Sequence, residues 1–148
     1  MLTPQDKFRD YLKEKGLKFT PERETVLRGI FSLHKHFDVD EIYLKVHKKD
    51  KRLSRATIYR TLPLLVESGL IVETFHCLGK GSYEHVFGHS HHDHMVCIKC
   101  GKIIEFRNEK IEELQEEVCK KYGFKSIEHR LGIKGYCRKC SGGRKHNL

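Results

Sequence analysis

The chain has 148 residues, of which 38% are hydrophobic and 33% are charged, and its formal net charge is +9. This length fits one ordinary domain or two small ones, and no apolar run approaches the roughly 18 residues that a membrane-spanning helix needs. The N-terminal segment is amphipathic and lacks the apolar core of a signal peptide, so we expect a cytoplasmic protein with no membrane partner. The positive charge is as consistent with an anionic partner as with simple solubility.

Four short helices are predicted in the first half of the chain. Each follows a residue of a type that caps helix N-termini, namely Thr3, Thr20, Asp38 and Ser54. Apolar residues then recur at helical spacing after each of these positions. The fourth helix contains Pro63, and because an interior proline costs about 3 kcal/mol we expect it to kink the helix or end it near Leu62.

Residues 70–87, LIVETFHCLGKGSYEHVF, predict a β-hairpin, because two extended runs flank a glycine-rich turn. Helices followed by a hairpin are typical of a winged helix-turn-helix domain, whose recognition helix enters the major groove of DNA. The start of the fourth helix is the most basic part of this half. Its polar side chains are candidates for DNA contacts, namely Ser54, Arg55, Thr57, Tyr59 and Arg60. The alternative is a solvated helix face in a bundle.

The second half predicts a strand, a metal-binding turn, a strand, a helix, a strand and a second metal-binding turn. Asn108 caps the helix, and its apolar residues are expected to face inward, namely Ile111, Leu114, Val118 and Tyr122. Five of the six cysteines and most of the histidines lie in this half. This shift in composition predicts a boundary at residues 78–82, with domains at 1–81 and 82–148.

Two C-x-x-C pairs, with 36 residues between them, have the spacing of a closed four-thiolate site, formed by Cys97, Cys100, Cys137 and Cys140. Six cysteines in a reducing compartment argue against disulfides. Four thiolates suit a structural Zn(II), which would stabilise a small domain that has little hydrophobic core. The alternatives are four unrelated thiols or a redox C-x-x-C pair. We expect Cys77 and Cys119 to be buried hydrophobic residues.

The run HHDH at residues 91–94 predicts two more metal sites, because alternate residues of a strand face opposite sides. On one face, Glu84 and Glu105 are candidates to join His92 and His94. On the other face, the candidate ligands are His91, Asp93, Glu112 and His129. Shells of histidine and carboxylate without sulfur suit Fe(II), Zn(II), Mn(II) or Ni(II). Four other histidines are expected to be ordinary surface residues that bind no metal, namely His34, His85, His89 and His146.

Four segments together resemble the ferric uptake regulator (Fur) family: LKFTPER (17–23), SRATIYRTLPLLVESGLI (54–71), HHDHMVCIKCGKIIEF (91–106) and CRKC (137–140). The resemblance covers nearly the whole chain in order. It implies a mixed α/β (α+β) fold with an N-terminal winged helix, a C-terminal α/β dimerisation domain carrying a zinc knuckle, and metal-dependent repression of transcription. The implied partners are a second copy of the chain and a palindromic, AT-rich double-stranded DNA operator.

The resemblance also implies roles for particular residues. It adds His36 to the sensory site of Glu84, His92, His94 and Glu105. It assigns the second mixed site and the thiolate site to the residues already named. Minor-groove contacts fall on Arg23, with Lys18 nearby, and major-groove contacts on Tyr59 and Arg60.

Three kinds of regulator in this family are compatible with the residues. We expect Fe(II) as the sensory metal, with Zn(II) or Mn(II) as alternatives. Peroxide sensors that resemble this chain use aspartate where it has Glu84 and Glu105, and zinc sensors place a cysteine in the sensory site, for which Cys77 is the candidate.

Two other classes of protein compete with a regulator. The run HSHHDH matches H-x-H-x-D-H, which resembles the metal-binding motif of metallo-β-lactamase-type hydrolases. The fold of those enzymes needs a larger β-sandwich than this chain can build. A zinc-ribbon interaction module would not explain the basic helix-turn-helix pattern. We therefore expect that the chain is not an enzyme.

Overall fold

The structure of the chain is a computed structural model that describes residues 1–77 and 80–142, with side chains for all of these except 75–77 and 80. The chain forms two compact units, Met1–Ser90 and His91–Leu148. Mixed helices and sheets were predicted, and this fold class is confirmed. Within the described residues, no helix is both long enough and apolar enough to span a membrane.

The first unit contains four helices followed by a hairpin. They are α1 (Pro4–Glu14), α2 (Pro21–Phe31), α3 (Val39–His47), α4 (Arg55–Glu67), β1 (Ile71–Cys77) and β2 (Lys80–His85). All four predicted caps are confirmed, since the side chains of Thr3, Thr20, Asp38 and Ser54 each accept a hydrogen bond from the backbone three residues on. The strands β1 and β2 pair antiparallel, as the hairpin prediction required, while residues 78 and 79 of its turn lie outside the described part.

The core of the first unit lies between the helices and the start of the hairpin. Its largest fully buried side chains include Phe8, Leu27, Ile30, Ile42 and Ile58. Each such side chain contributes about 1.5–3 kcal/mol relative to exposure, so this unit has a core of its own.

The fourth helix does not end near Leu62, so that alternative is wrong and a kink at Pro63 stays a prediction: α4 continues through Pro63 to Glu67. Leu62 and Leu65 lie on either side of the proline and are 1% and 0% exposed. Burying two such side chains offsets the cost of about 3 kcal/mol for an interior proline.

The second unit contains three strands and one helix: β3 (Asp93–Cys97), β4 (Ile103–Phe106), α5 (Glu109–Lys121) and β5 (Gly132–Gly135). Strand β3 lies in the centre, antiparallel to β4 and parallel to β5. The predicted order of elements is confirmed, and His129 lies before β5. The boundary predicted at residues 81 and 82 would fall within β2, which belongs to the first unit because it pairs with β1.

The apolar face of α5 does not point inward, so that prediction is wrong for most of its residues. Leu114, Val118 and Tyr122 are 59%, 56% and 75% exposed in the single chain. Helical spacing identifies an apolar face but does not say whether the same chain or another one covers it.

Candidate metal centres and nucleic-acid interface

The four cysteines of the C-x-x-C pairs converge at one end of the three-stranded sheet. Cys97 ends β3, and all four Sγ atoms lie within 4.8 Å of one another. The Sγ atoms of Cys100 and Cys137 are 3.7 Å apart. A tetrahedral Zn(II) with Zn–S distances of about 2.3 Å requires sulfur atoms about 3.8 Å apart, so the arrangement fits zinc.

Tight turns hold these thiols in place. The backbone N–H of Gly101 donates to the carbonyl of Cys97 at 2.8 Å, and that of Cys140 donates to the carbonyl of Cys137 at 2.9 Å. Gly101 has φ = +73°, a conformation that a residue with a side chain rarely adopts. Each C-x-x-C segment therefore forms a tight turn that brings its two Sγ atoms close together.

The thiols also differ in acidity. Hydrogen bonds from the backbone of Cys137 and Cys100 lower the pKa of Cys97 to about 6. Burial, together with hydrogen bonding to Cys137, Cys100 and Cys97, raises the pKa of Cys140 to about 12. Four thiolates so close together require a cation, and zinc binding at neutral pH would release the proton of Cys140.

The second cluster joins His91, Asp93, Glu112 and His129, each of which places a donor atom within 4.8 Å of the others. The Nε2 of His91 lies 3.3 Å from Asp93 Oδ1 and 3.5 Å from Glu112 Oε1. The Nε2 of His129 lies 3.2 Å from Glu112 Oε2, and the rings of His91 and His129 are 4.3 Å apart. These distances bring two imidazoles and two carboxylates to one point.

The carboxylate of Asp93 supplies an independent test of a metal at this cluster. Its side chain is 1% exposed, and neither of its oxygens accepts a hydrogen bond from the described residues. Glu112 Oε1 and His129 Nε2 are likewise buried without such a partner in that part of the chain. Burying a charged group is costly unless it is paired or coordinates a metal, so the residues fit a divalent cation.

The predicted sensory residues divide between the two units. In the first unit, His36 Nε2 lies 3.0 Å from Glu84 Oε2, and both side chains are largely buried. A backbone bridge holds them there, since Phe37 and Tyr83 exchange two N–H to carbonyl hydrogen bonds of 2.9 and 2.8 Å. The register of this bridge places the residues next to it, His36 and Glu84, side by side.

In the second unit, His94 of β3 lies directly opposite Glu105 of β4. His92 Nε2 lies 3.7 Å from Glu105 Oε1, and the rings of His92 and His94 are 4.8 Å apart. Asp93 contacts the second cluster while its neighbours contact Glu105. The alternation of β3 therefore separates Asp93 from His94, as strand geometry predicts, while His91 and His92 precede the strand.

Histidines outside these sets differ from the prediction. His85 was expected at the surface but is only 9% exposed, so that prediction is wrong, whereas His34 and His89 are exposed. Burial lowers the pKa of His85. The signal for burial was its cross-strand partner Ile71, which is 0% exposed. His146 and the side chain of Cys77 lie outside the described residues, and Cys119 is half-buried.

The candidate DNA contacts lie mostly on the outer face of α4. Ser54, Tyr59 and Arg60 are exposed, whereas Ile58 and Leu62 of the same helix are buried. Arg60 donates from Nε to the carbonyl of Ala56 at 3.2 Å. The helix therefore exposes a polar, basic face to solvent and buries its opposite, apolar face in the core of the first unit.

Two other arginines contact the protein itself. Arg55 forms an ion pair with Asp40, and its guanidinium lies 4.3 Å from the ring centre of Tyr43. Arg23 donates to the carbonyl of Lys18, which places these two basic residues together at the start of α2.

Comparisons with known proteins agree with this architecture. Residues 14–134 match the model of the ferric uptake regulator family. A ferric uptake regulation protein from Campylobacter jejuni is 37% identical over 139 residues, which cover 92% of this chain and 87% of that protein.

Solved structures give the same result. The Helicobacter pylori ferric uptake regulator Fur is 35% identical, with a TM-score of 0.76 over 93% of this chain and 91% of that one. The Campylobacter jejuni peroxide stress regulator is 34% identical, with a TM-score of 0.67 over 88% of this chain and 97% of that one. The chain therefore belongs to the ferric uptake regulator family, whose members are metal-responsive, DNA-binding transcription regulators and not enzymes.

Proposed function

We propose that this chain is an iron-responsive repressor of iron uptake that binds a palindromic, AT-rich operator as a homodimer when Fe(II) fills its sensory site. The observation that carries the proposal is the donor set, which has three histidines and two glutamates and no sulfur: His36, Glu84, His92, His94 and Glu105. Such nitrogen and oxygen donors suit Fe(II), and also Zn(II) or Mn(II). The relatives named ferric uptake regulation protein support iron among these.

The other two clusters have separate roles in this proposal. The four cysteines hold a structural Zn(II) that belongs to the fold of the second unit. The cluster of His91, Asp93, Glu112 and His129 holds a second divalent metal. The Helicobacter pylori structure is described as having three functional metal binding sites, which supports three sites here.

The first unit contacts DNA through α4 in the major groove. Tyr59 and Arg60 meet the base edges and phosphates there, and Ser54 and Thr57 lie at the end of the helix that enters the groove. Arg23 and Lys18 meet the minor groove. Arg55 contacts DNA only if it leaves Asp40, so the ion pair gives it a positioning role in the free protein.

The proposed switch depends on ligands from both units. A metal that binds His36 and Glu84 together with His92, His94 and Glu105 restricts the units to one arrangement. In a dimer that restriction fixes the separation of two α4 helices, which must reach successive major grooves about 34 Å apart. Metal and operator then favour the same state, and each tightens the binding of the other by about 1–3 kcal/mol.

The metal is tested by purifying the full chain without oxygen and titrating operator DNA at buffered free Fe(II), Mn(II) or Zn(II). The proposal expects Fe(II) to support binding at the free concentration found in cells, with no loss after mild peroxide treatment. Operator binding that needs only Zn(II) at its much lower cellular free concentration would establish the zinc alternative instead. Loss of binding after peroxide treatment would establish a peroxide sensor, the alternative suggested by the Campylobacter jejuni peroxide stress regulator.

The roles of the two histidine faces are tested in the same titrations. His92→Ala removes a sensory ligand and should abolish metal-dependent binding while the thiolate zinc remains. His91→Ala removes a ligand of the other mixed cluster, which includes Asp93 of β3, and should have a milder effect. Identical behaviour of the two variants would refute the assignment of separate roles.

A further inference from the structure

Three histidines outside the three clusters gather in the first unit, and the regulator proposed above makes no use of them. His34 follows α2, His85 ends β2, and His89 follows a turn. The ring centroids of His85 and His89 are 4.6 Å apart, and those of His34 and His85 are 5.7 Å apart. His85 is thus the middle member of the group.

Backbone hydrogen bonds and a tight turn place these histidines next to one another. Val86 donates its N–H to the carbonyl of Leu70, and His89 donates its N–H to the carbonyl of Val86 at 3.1 Å. Gly88, with φ = +79°, makes the tight turn that returns His89 to His85. On its other side, the ring of His85 packs against Phe31 at 4.8 Å.

The nitrogen atoms of His85 provide the second observation. The residue is only 9% exposed, and its Nδ1 is buried without a hydrogen-bond partner among the described residues. Buried polar atoms are nearly always paired with protein, water or a metal. Packing against Phe31 and a hydrogen bond to the backbone of Leu33 account for the ring and for one of its nitrogens, but not for the buried Nδ1.

The separation of the His85 and His89 rings is close to that of two imidazoles that share one metal. Two imidazoles bound to one tetrahedral metal at about 2.0–2.1 Å have centroids about 5 Å apart. The separation of His85 and His89 lies between those in the two mixed clusters, 4.3 Å for His91 and His129 and 4.8 Å for His92 and His94. His34 stands further out, with its ring centroid 5.7 Å from that of His85, so its exposed side chain would turn inward to bind the same metal.

We propose that His34, His85 and His89 form a fourth metal site, which binds a borderline divalent cation such as Zn(II), Ni(II) or Cu(II). Three neutral imidazoles with no carboxylate suit these ions and not the hard cations Mg(II) or Ca(II). Water fills the remaining position. A bound metal ties the loop before α3 to the segment after β2, both within the first unit.

The test counts zinc in the full chain. Wild type and His34→Ala/His89→Ala are dialysed against the same series of buffered free Zn(II) concentrations, and bound zinc is measured by elemental analysis. Both proteins keep every ligand of the other three sites, so a difference of one equivalent is assigned to this group. The proposal expects wild type to bind one more equivalent of zinc. Equal zinc content at every free concentration would overturn it.

Two further variants make the result specific. His85→Phe keeps a ring against Phe31 but removes the buried nitrogen, so it should lose the same equivalent of zinc. If His85→Phe keeps that equivalent, the proposed shell is wrong. His47→Gln removes a histidine of α3 that stacks on Tyr43 instead of on this group, and it should bind as much zinc as wild type. The same loss from His47→Gln would also overturn the proposal. Operator binding is not a readout here, so failure of the proposed repressor function would leave the result unchanged.

Discussion

A few individual residues are expected to stabilise the second unit, because it buries few apolar side chains that could form a core. Among its described residues, only Val96 and Cys97 are buried hydrophobic side chains, each 3% exposed. Small domains with so little core usually depend on a metal or on a partner chain. The four cysteines are therefore expected to contribute more to its folding than any apolar residue does.

Cys97→Ser should lose one tightly bound zinc and unfold or monomerise the second unit, because metal binding and folding are one process at such a site. The measurements are zinc content, thermal unfolding and molecular mass in solution. Cys119→Ser, at a half-buried cysteine of α5 outside the four, should retain zinc and mass. A stable, dimeric and fully zinc-loaded Cys97→Ser protein would contradict the structural role.

The sequence predicts ligand groups best where the pattern is local. Alternation along β3 was enough to separate Asp93 from His94, and the C-x-x-C spacing was enough to group the thiols. His36 could not be found this way, because its approach to Glu84 depends on a bridge between Phe37 and Tyr83, which are distant in sequence. Only the resemblance to a family supplied that residue.

Among the elements, α2 and α3 approach closely at a glycine. A Cβ built on Gly29 would lie 2.6 Å from Val46 Cγ1, well inside van der Waals contact. Gly29→Ala should therefore destabilise the first unit, since overpacking of about 1–3 kcal/mol outweighs a gain in helix propensity of about 1 kcal/mol or less.

The check is the denaturant midpoint of the full chain, followed by helix content. The double variant Gly29→Ala/Val46→Ala removes the clash and serves as the matched comparison with Val46→Ala alone. Adding the alanine at position 29 should cost less in the Val46→Ala background than in wild type. A Gly29→Ala protein at least as stable as wild type would show that the two helices can move apart without loss.

The helices α1 and α4 are linked by a hydrogen bond that depends on pH. The hydroxyl of Tyr11 donates to Glu67 at 2.5 Å, and this contact raises the pKa of Tyr11 from 10.0 to about 12. Because the folded pKa lies above the unfolded one, the stabilisation is complete below pH of about 10 and is lost as the pH rises through about 12.

Tyr11→Phe should therefore lower the melting temperature near neutral pH, and its difference from wild type should shrink as the pH approaches about 12. Thermal melts of both proteins across this range, without DNA, provide the measurement. Tyr59→Phe, on the exposed face of α4, is the matched control for loss of a phenol. A difference that stays constant or grows with pH would rule out this role for the hydrogen bond.

Element boundaries followed from sequence where a cap defines them. Thr3, Thr20, Asp38, Ser54 and Asn108 each mark a helix start because their side chains bond the next turn of backbone. The end of α4 did not follow, since burial of Leu65 outweighs the local effect of Pro63. The exposed face of α5 did not follow either, because amphipathicity alone cannot identify what covers a helix.

At the scale of the whole molecule, the chain consists of two units and belongs to a family of metal-responsive regulators. The basic helix of the first unit and the metal ligands of both units, together with the resemblance to a family, predicted this class from sequence. The identity of the metal did not follow in the same way, because nitrogen and oxygen donors accept several divalent ions and the cell's supply decides among them.

The coupling between metal and operator is the central claim, and His36 is its most specific test. His36→Ala should abolish the effect of metal on operator affinity while leaving both units folded. Retention of the thiolate zinc and of wild-type helix content would verify that the units remain intact.

The most direct measurement is the affinity of the wild-type dimer for an AT-rich palindrome, with divalent metal and with a chelator, at one fixed salt concentration. The structural zinc must be shown to remain in both conditions. We expect metal to tighten operator binding by roughly 5- to 150-fold, and operator DNA to tighten metal binding by the same factor. Equal operator affinity with metal and with chelator would contradict the account.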